Sequence, residues 1–82
     1  MKFDHENKRY LKLRQAVIDR IITLSKEKGL SLTALCKKSH VGYSTLNNFI
    51  KDPSKTINLD TIDKLCSALD ISFYDFWQSL DY

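Results

Sequence analysis

Tyr43, Ser44, Thr45, Asn47 and Asn48 crowd into six consecutive positions of the stretch SHVGYSTLNNFIKD, residues 39–52. Hydroxyls and carboxamides donate and accept hydrogen bonds at neutral pH but make poor acids, bases and nucleophiles unless a partner activates them. Such a cluster suits the recognition of another molecule's polar edge. Bond-breaking chemistry lacks its parts. His5 and His40 lie far apart in sequence, and neither Cys36 nor Cys66 has a base near it on its own helix, so no nucleophile-and-base pair is visible and no enzyme is expected. Cys36 and His40 are four apart, which would put two ligands on one helical face. No second pair at metal spacing accompanies them, so neither a metal site nor a cofactor is expected.

The chain that must position these side chains has 82 residues, the size of one domain, 1–82. It is 43% hydrophobic and 28% charged, with one Pro and two Gly. Strand-rich domains usually need more turn residues, so the fold class expected is all-α. No apolar run approaches the roughly 18 residues of a membrane span, and MKFDHENKRYLK lacks the apolar core of a signal peptide. A cytoplasmic protein without membrane contact is expected. The two cysteines show neither CxxC spacing nor the density of a disulfide scaffold, and read as buried thiols.

Charge is divided along the sequence. Residues 1–30 carry eight Lys/Arg against four Asp/Glu, residues 31–56 four against one, and residues 57–82 one against five. The first two thirds are therefore suited to a polyanion and the last third is not.

Five helices account for the hydrophobic pattern. Over 10–28, Tyr10, Leu13, Val17, Ile21 and Leu24 recur at steps of three and four, widened by Leu11, Ile18 and Ile22. One face is thus buried, and Lys12, Arg14, Asp19, Arg20 and Lys26 point outward. Residues 1–9 are polar and are expected to fray, with Asp4 available as an early start, and Gly29 is expected to close the helix as a left-handed cap. Four more starts share one signature, an apolar residue before a cap and another four positions beyond it: Leu30-Ser31-Leu35, Val41-Gly42-Leu46, Ile57-Asn58-Ile62 and Ile71-Ser72-Phe76. Each is a hydrophobic staple around an N-cap. They open helices over 31–39, 42–51, 58–69 and 72–80, with Asp75 completing a capping box at the last. Their expected core faces are Leu32, Leu35 and Cys36; Leu46, Phe49 and Ile50; Leu59, Ile62, Leu65, Cys66 and Leu69; and Phe73, Phe76, Trp77 and Leu80. Asp52-Pro53-Ser54 reads as a turn.

The caps at Ser31 and Gly42 are eleven residues apart, which joins two short helices through a tight turn, the geometry of a helix-turn-helix. Residues 30–51, LSLTALCKKSHVGYSTLNNFIK, resemble the helix-turn-helix of the lambda-repressor-like (Cro and phage-repressor) regulators, the xenobiotic-response-element family. The likeness runs from about Val17 to Trp77. Cys36 takes the small-residue place at the helix crossing, and Val41, Leu46 and Phe49 take the three apolar locking places. Two positions depart from the family pattern: His40 stands where Gly is usual in the turn, and Leu32 where Gln often makes a phosphate contact.

The resemblance implies a five-helix, lambda-repressor-like DNA-binding domain and a transcriptional regulator, expected to repress, whose third helix enters the major groove of double-stranded DNA. Its base-reading positions fall on Tyr43, Ser44 and Asn48, with Asn47 beside them, all expected on the outward face. Asn bonds an adenine's acceptor and donor together, and a Tyr ring can touch a thymine methyl, which favours A·T-rich sites. Phosphate contacts are expected from Thr33, beside the missing Gln, and from Thr45, Lys51, Lys55 and Asn58. The aromatic ending ISFYDFWQSLDY holds more aromatic surface than one helix needs, since Tyr74 and Tyr82 lie off its core face. Together with the family's palindromic half-sites this implies a homodimer through helix 5 or helix 1. No small-molecule effector site is evident. The competing reading is a helix-turn-helix used as a protein-interaction module, an antitoxin-like or phage accessory protein.

Overall fold

Three of the chain's tight corners share one device: a residue in the left-handed region, then a buried or half-buried apolar residue, then the N-cap of the next helix. They are Gly29-Leu30-Ser31, His40-Val41-Gly42 and Asp70-Ile71-Ser72, with φ of 68°, 60° and 57° at the first residue of each. The computed structural model describes residues 9–80; the expectations placed on residues 1–8 and on Tyr82 lie outside them. The corners make three of the four connections between five helices: α1 (Arg9–Glu27), α2 (Leu32–Ser39), α3 (Tyr43–Lys51), α4 (Leu59–Ala68) and α5 (Phe73–Gln78). The described residues are all-α, with no strand among them.

Each corner satisfies helix-end carbonyls that would otherwise lack partners. Leu30 N–H donates to the Ser25 carbonyl (2.8 Å), Val41 N–H to Cys36 (3.2 Å) and Ile71 N–H to Cys66 (3.1 Å). The residue that follows then caps the next helix. Ser31 Oγ accepts from Ala34 N–H at 3.1 Å, and Ser72 Oγ from Asp75 N–H at 3.0 Å. The residue before each cap packs into or against the core, as a staple requires.

The core gathers Val17, Ile18 and Ile21 of α1, Leu35 of α2, Leu46 and Phe49 of α3, Ile62, Leu65, Cys66 and Leu69 from α4 and its C-cap, and Phe76 of α5. Each large side chain removed from water contributes about 1.5–3 kcal/mol. That packing is decisive for α3 and α5, which are far shorter than the roughly 12 residues at which an isolated helix becomes even marginal. α2 lies against both α3 and α4, and α4 against α5.

Four expectations are corrected. Leu59, assigned to the core face of α4, is 62% exposed, because the first residue after the Asn58 cap projects ahead of the buried stripe. Arg14 and Arg20, assigned to solvent, are half-buried. Arg14 Nη1 donates to the carbonyls of Pro53 (3.2 Å) and Ser54 (3.0 Å), and its guanidinium sits 5.1 Å from the centre of the Tyr10 ring. Arg20 Nε donates to Ser79 Oγ at 2.9 Å. Finally, α5 stops at Gln78 instead of residue 80. Ser79 turns its hydroxyl back onto the Phe76 carbonyl (2.8 Å), the local bond by which Ser competes with helix continuation.

Candidate nucleic-acid interface

A helix offered to a groove must be held firmly on one side and left polar on the other. On α3, Leu46 and Phe49 are buried and Ile50 is half-buried against the core. Tyr43 is 50% exposed, and Ser44, Thr45, Asn48 and Lys51 are exposed with it. Asn47 differs from its expected outward position: it is half-buried, at the edge of the polar face and three residues before Ile50. Gly42 caps the helix without a side chain. The first backbone bond inside α3 runs from Leu46 N–H to the Gly42 carbonyl, so the amides of 43–45 have no acceptor within the helix.

The approach to α3 is fixed by α2 and its turn. Leu35 is fully buried and Cys36 buried beside it, while Ser39 is buried with its hydroxyl donating to the Leu35 carbonyl at 2.7 Å. His40 adopts φ 60°, ψ 28° as the cap of α2, a conformation that His tolerates better than most non-Gly residues. Thr33 is exposed on the first turn of α2, and Leu32, before it, is half-buried. Burial pushes the Cys36 thiol up, and burial followed by the nearby Asp63 carboxylate pushes Cys66 up to about 11. Both therefore stay neutral at physiological pH. Cys36 is buried while His40 is exposed at the turn. Among the described residues no three His, Cys, Asp or Glu gather as metal ligands would.

Beyond α3, the loop carrying Lys55 and Asn58 is pinned at both ends. Asp52 Oδ1 accepts from Ser54 N–H (3.0 Å) and Ser54 Oγ (2.6 Å). These bonds, with help from Lys55, hold the Asp52 carboxyl below its ordinary range. Arg14 clamps the same turn from α1 through the two carbonyls described above. Asn58 Oδ1 accepts from Thr61 N–H (2.9 Å) and Thr61 Oγ1 (2.7 Å), so its oxygen is committed to the α4 cap and its amide donors remain for another acceptor. Arg14 is the positioning residue that sequence reasoning missed. Its one signal was the i, i+4 spacing from Tyr10.

The cations divide in two. Lys28 and Lys38 both approach Asp70 Oδ2, at 3.6 and 3.9 Å. The ion pairs found among the described residues leave out Lys51, the last residue of α3, and Lys55 in the loop after it. A neutral hydrogen-bonding helix face with exposed lysines at and beyond its C-terminal end is complementary to a polyanion with a readable groove. No described helix is long and apolar enough to cross a membrane.

Residues 20–77 match the profile of the Cro/C1-type HTH (helix-turn-helix) DNA-binding domain. The match covers well over half of the chain, and the chain belongs to that family: it is a DNA-binding, transcription-regulator-like protein. No curated protein and no solved structure matches it significantly.

Proposed function

We propose that this member of the Cro/C1-type family is a small transcriptional repressor that binds double-stranded DNA sequence-specifically, with α3 in the major groove. The observation that carries the reading is the two-sidedness of α3: Leu46 and Phe49 are buried while Tyr43, Ser44, Thr45 and Asn48 are exposed. In this reading Tyr43, Ser44 and Asn48 read base edges, and half-buried Asn47 supports Asn48 and touches bases only at its edge. Thr33, Thr45, Lys51, Lys55 and Asn58 contact phosphates, and the loop clamp by Arg14 keeps the last two in register. The protein acts in the cytoplasm, without catalysis.

Two copies would bind a palindrome through two-fold symmetry. The α5 aromatics support a seam there: Trp77 packs edge-on against Phe73 (centroids 5.7 Å apart) and Phe76 (5.6 Å), and Tyr74 remains 70% exposed. Exposed Tyr74 in the acidic third also favours a second reading, a protein-interaction module with no operator of its own.

Binding to random duplex DNA at low and moderate salt separates the two. The DNA reading expects affinity that falls steeply with salt, and a salt slope about one unit shallower for Lys51→Ala. Absence of binding at low salt by wild type sinks it.

A further inference from the structure

Arg14 clamps the turn after α3 with only part of its side chain. A guanidinium carries N–H donors on all three of its nitrogens in one plane, and Nη1 alone makes both bonds to the turn, to the carbonyls of Pro53 and Ser54. Among the described residues no acceptor is found for Nε or Nη2. Their outer N–H bonds run side by side, the arrangement that matches two oxygens of one carboxylate or phosphate. The charge is likewise left without a counterion. Asp52 is the carboxylate of this turn, yet its Oδ1 accepts from Ser54, and the ion pairs found among the described residues join Lys28 and Lys38 to Asp70 and leave Arg14 out. Half-buried Arg14 instead meets two neutral carbonyls and the Tyr10 ring, which orient a cation without neutralising it. Lys51 and Lys55, both exposed, precede and follow the same turn. Three cations therefore attend a turn that holds a single carboxylate.

From this we infer that Arg14 is a phosphate contact as well as a clamp: its Nε and Nη2 donors take one backbone phosphate of the bound duplex, beside those taken by Lys51 and Lys55, so that α1 joins the DNA interface. The inference rests on the DNA-binding reading. A phosphodiester suits the arrangement because its two unesterified oxygens answer the two parallel donors, and neighbouring phosphates of the same strand answer the lysines on either side of the turn. The two roles support each other. Bonds from Nη1 hold the guanidinium to the loop, so the remaining donors meet the phosphate already oriented, with less side-chain freedom to lose on binding.

Two readouts separate contact from clamp, both on the full chain with a random-sequence duplex. In fluorescence anisotropy over a salt series, the slope of log K against log salt becomes shallower by about one unit for Arg14→Gln and keeps its wild-type value for Arg14→Lys, which retains the charge. Lys26→Gln, which removes a charge from an exposed position elsewhere on α1, leaves the slope unchanged. The second readout needs no variant to fold: in NMR of the wild-type chain, the Arg14 Nε–H resonance shifts saturably as duplex is added. That of Arg20, whose Nε already donates to Ser79 Oγ, stays in place. An unchanged slope for Arg14→Gln, an equal fall for Arg14→Lys, or an Arg14 Nε–H that duplex does not move overturns the proposal and leaves Arg14 a clamp alone. A resonance that moves with inorganic phosphate but not with duplex overturns it too, as a free-anion site. Absence of wild-type binding at low salt is a different failure, which removes the DNA reading itself and this inference with it.

Discussion

Arg14→Ala removes the clamp between α1 and the turn after α3. Two bonds from the guanidinium to the carbonyls of Pro53 and Ser54 are lost, at 3.2 and 3.0 Å, along with the contact over Tyr10 at 5.1 Å. Hydrogen bonds to a charged group are worth about 1.5–3 kcal/mol each when desolvated. Here one bond is exposed and the other part-buried, and water takes up the freed carbonyls, so the pair is discounted to about 1 kcal/mol. The exposed cation–π contact adds about 0.5 kcal/mol. A loss of about 1.5 kcal/mol lowers the melting temperature of a domain this size by roughly 6–12 °C. Thermal unfolding followed by the fluorescence of the single Trp77 measures it. Arg14→Lys recovers less than half, because a shorter chain ending in a freely rotating, strongly hydrated ammonium neither lies over the Tyr10 ring nor holds its donors in one plane towards the two carbonyls. A melting temperature for Arg14→Ala within about 2 °C of wild type would refute the reasoning and make the clamp a surface ornament.

Three further outcomes follow from the same geometry. His40→Val forces a β-branched residue to φ near 60° and destabilises by about 1–2 kcal/mol in urea unfolding, whereas His40→Gly stays within about 0.5 kcal/mol of wild type. Phe49→Ala empties the contact between α3 and the core, at a cost of about 3–5 kcal/mol, enough to leave a domain of this size largely unfolded near body temperature by circular dichroism. Cys66 titrates at about 11 in the fold against 9.0 when unperturbed. The folded chain therefore holds the proton longer than the unfolded one, and the contribution is complete below pH 9 and declines as pH rises towards 11. Chemical denaturation across that window shows the decline, and Cys66→Ala flattens it.

How far these features were legible follows from the kind of signal each one leaves. The helix-turn-helix was readable because its parts are local: the caps eleven residues apart, the staples and the three locking residues all fall within residues 30–51. The left-handed corner at Gly29 was readable from residue type, but Asp70 adopts the same conformation without being glycine, and only the apolar Ile71 and the cap Ser72 marked the place. What sequence missed depends on distant parts meeting. Arg14 and Ser54 are forty residues apart, and Arg20 and Ser79 fifty-nine, so a helical wheel could only assign both arginines to solvent. Leu59 failed differently: the 3.6-residue period placed it on the buried face, but at the helix's first residue no neighbouring element covers it.

The central claim, that the exposed face of α3 reads bases, is tested most directly by selecting bound sequences from a random duplex pool with wild type, Asn48→Ala and Lys55→Ala. The account predicts one enriched motif for wild type, a changed preference at a single base position within it for Asn48→Ala, and the same motif at lower affinity for Lys55→Ala. An unchanged motif for Asn48→Ala, or no enrichment by the wild-type protein, would contradict it.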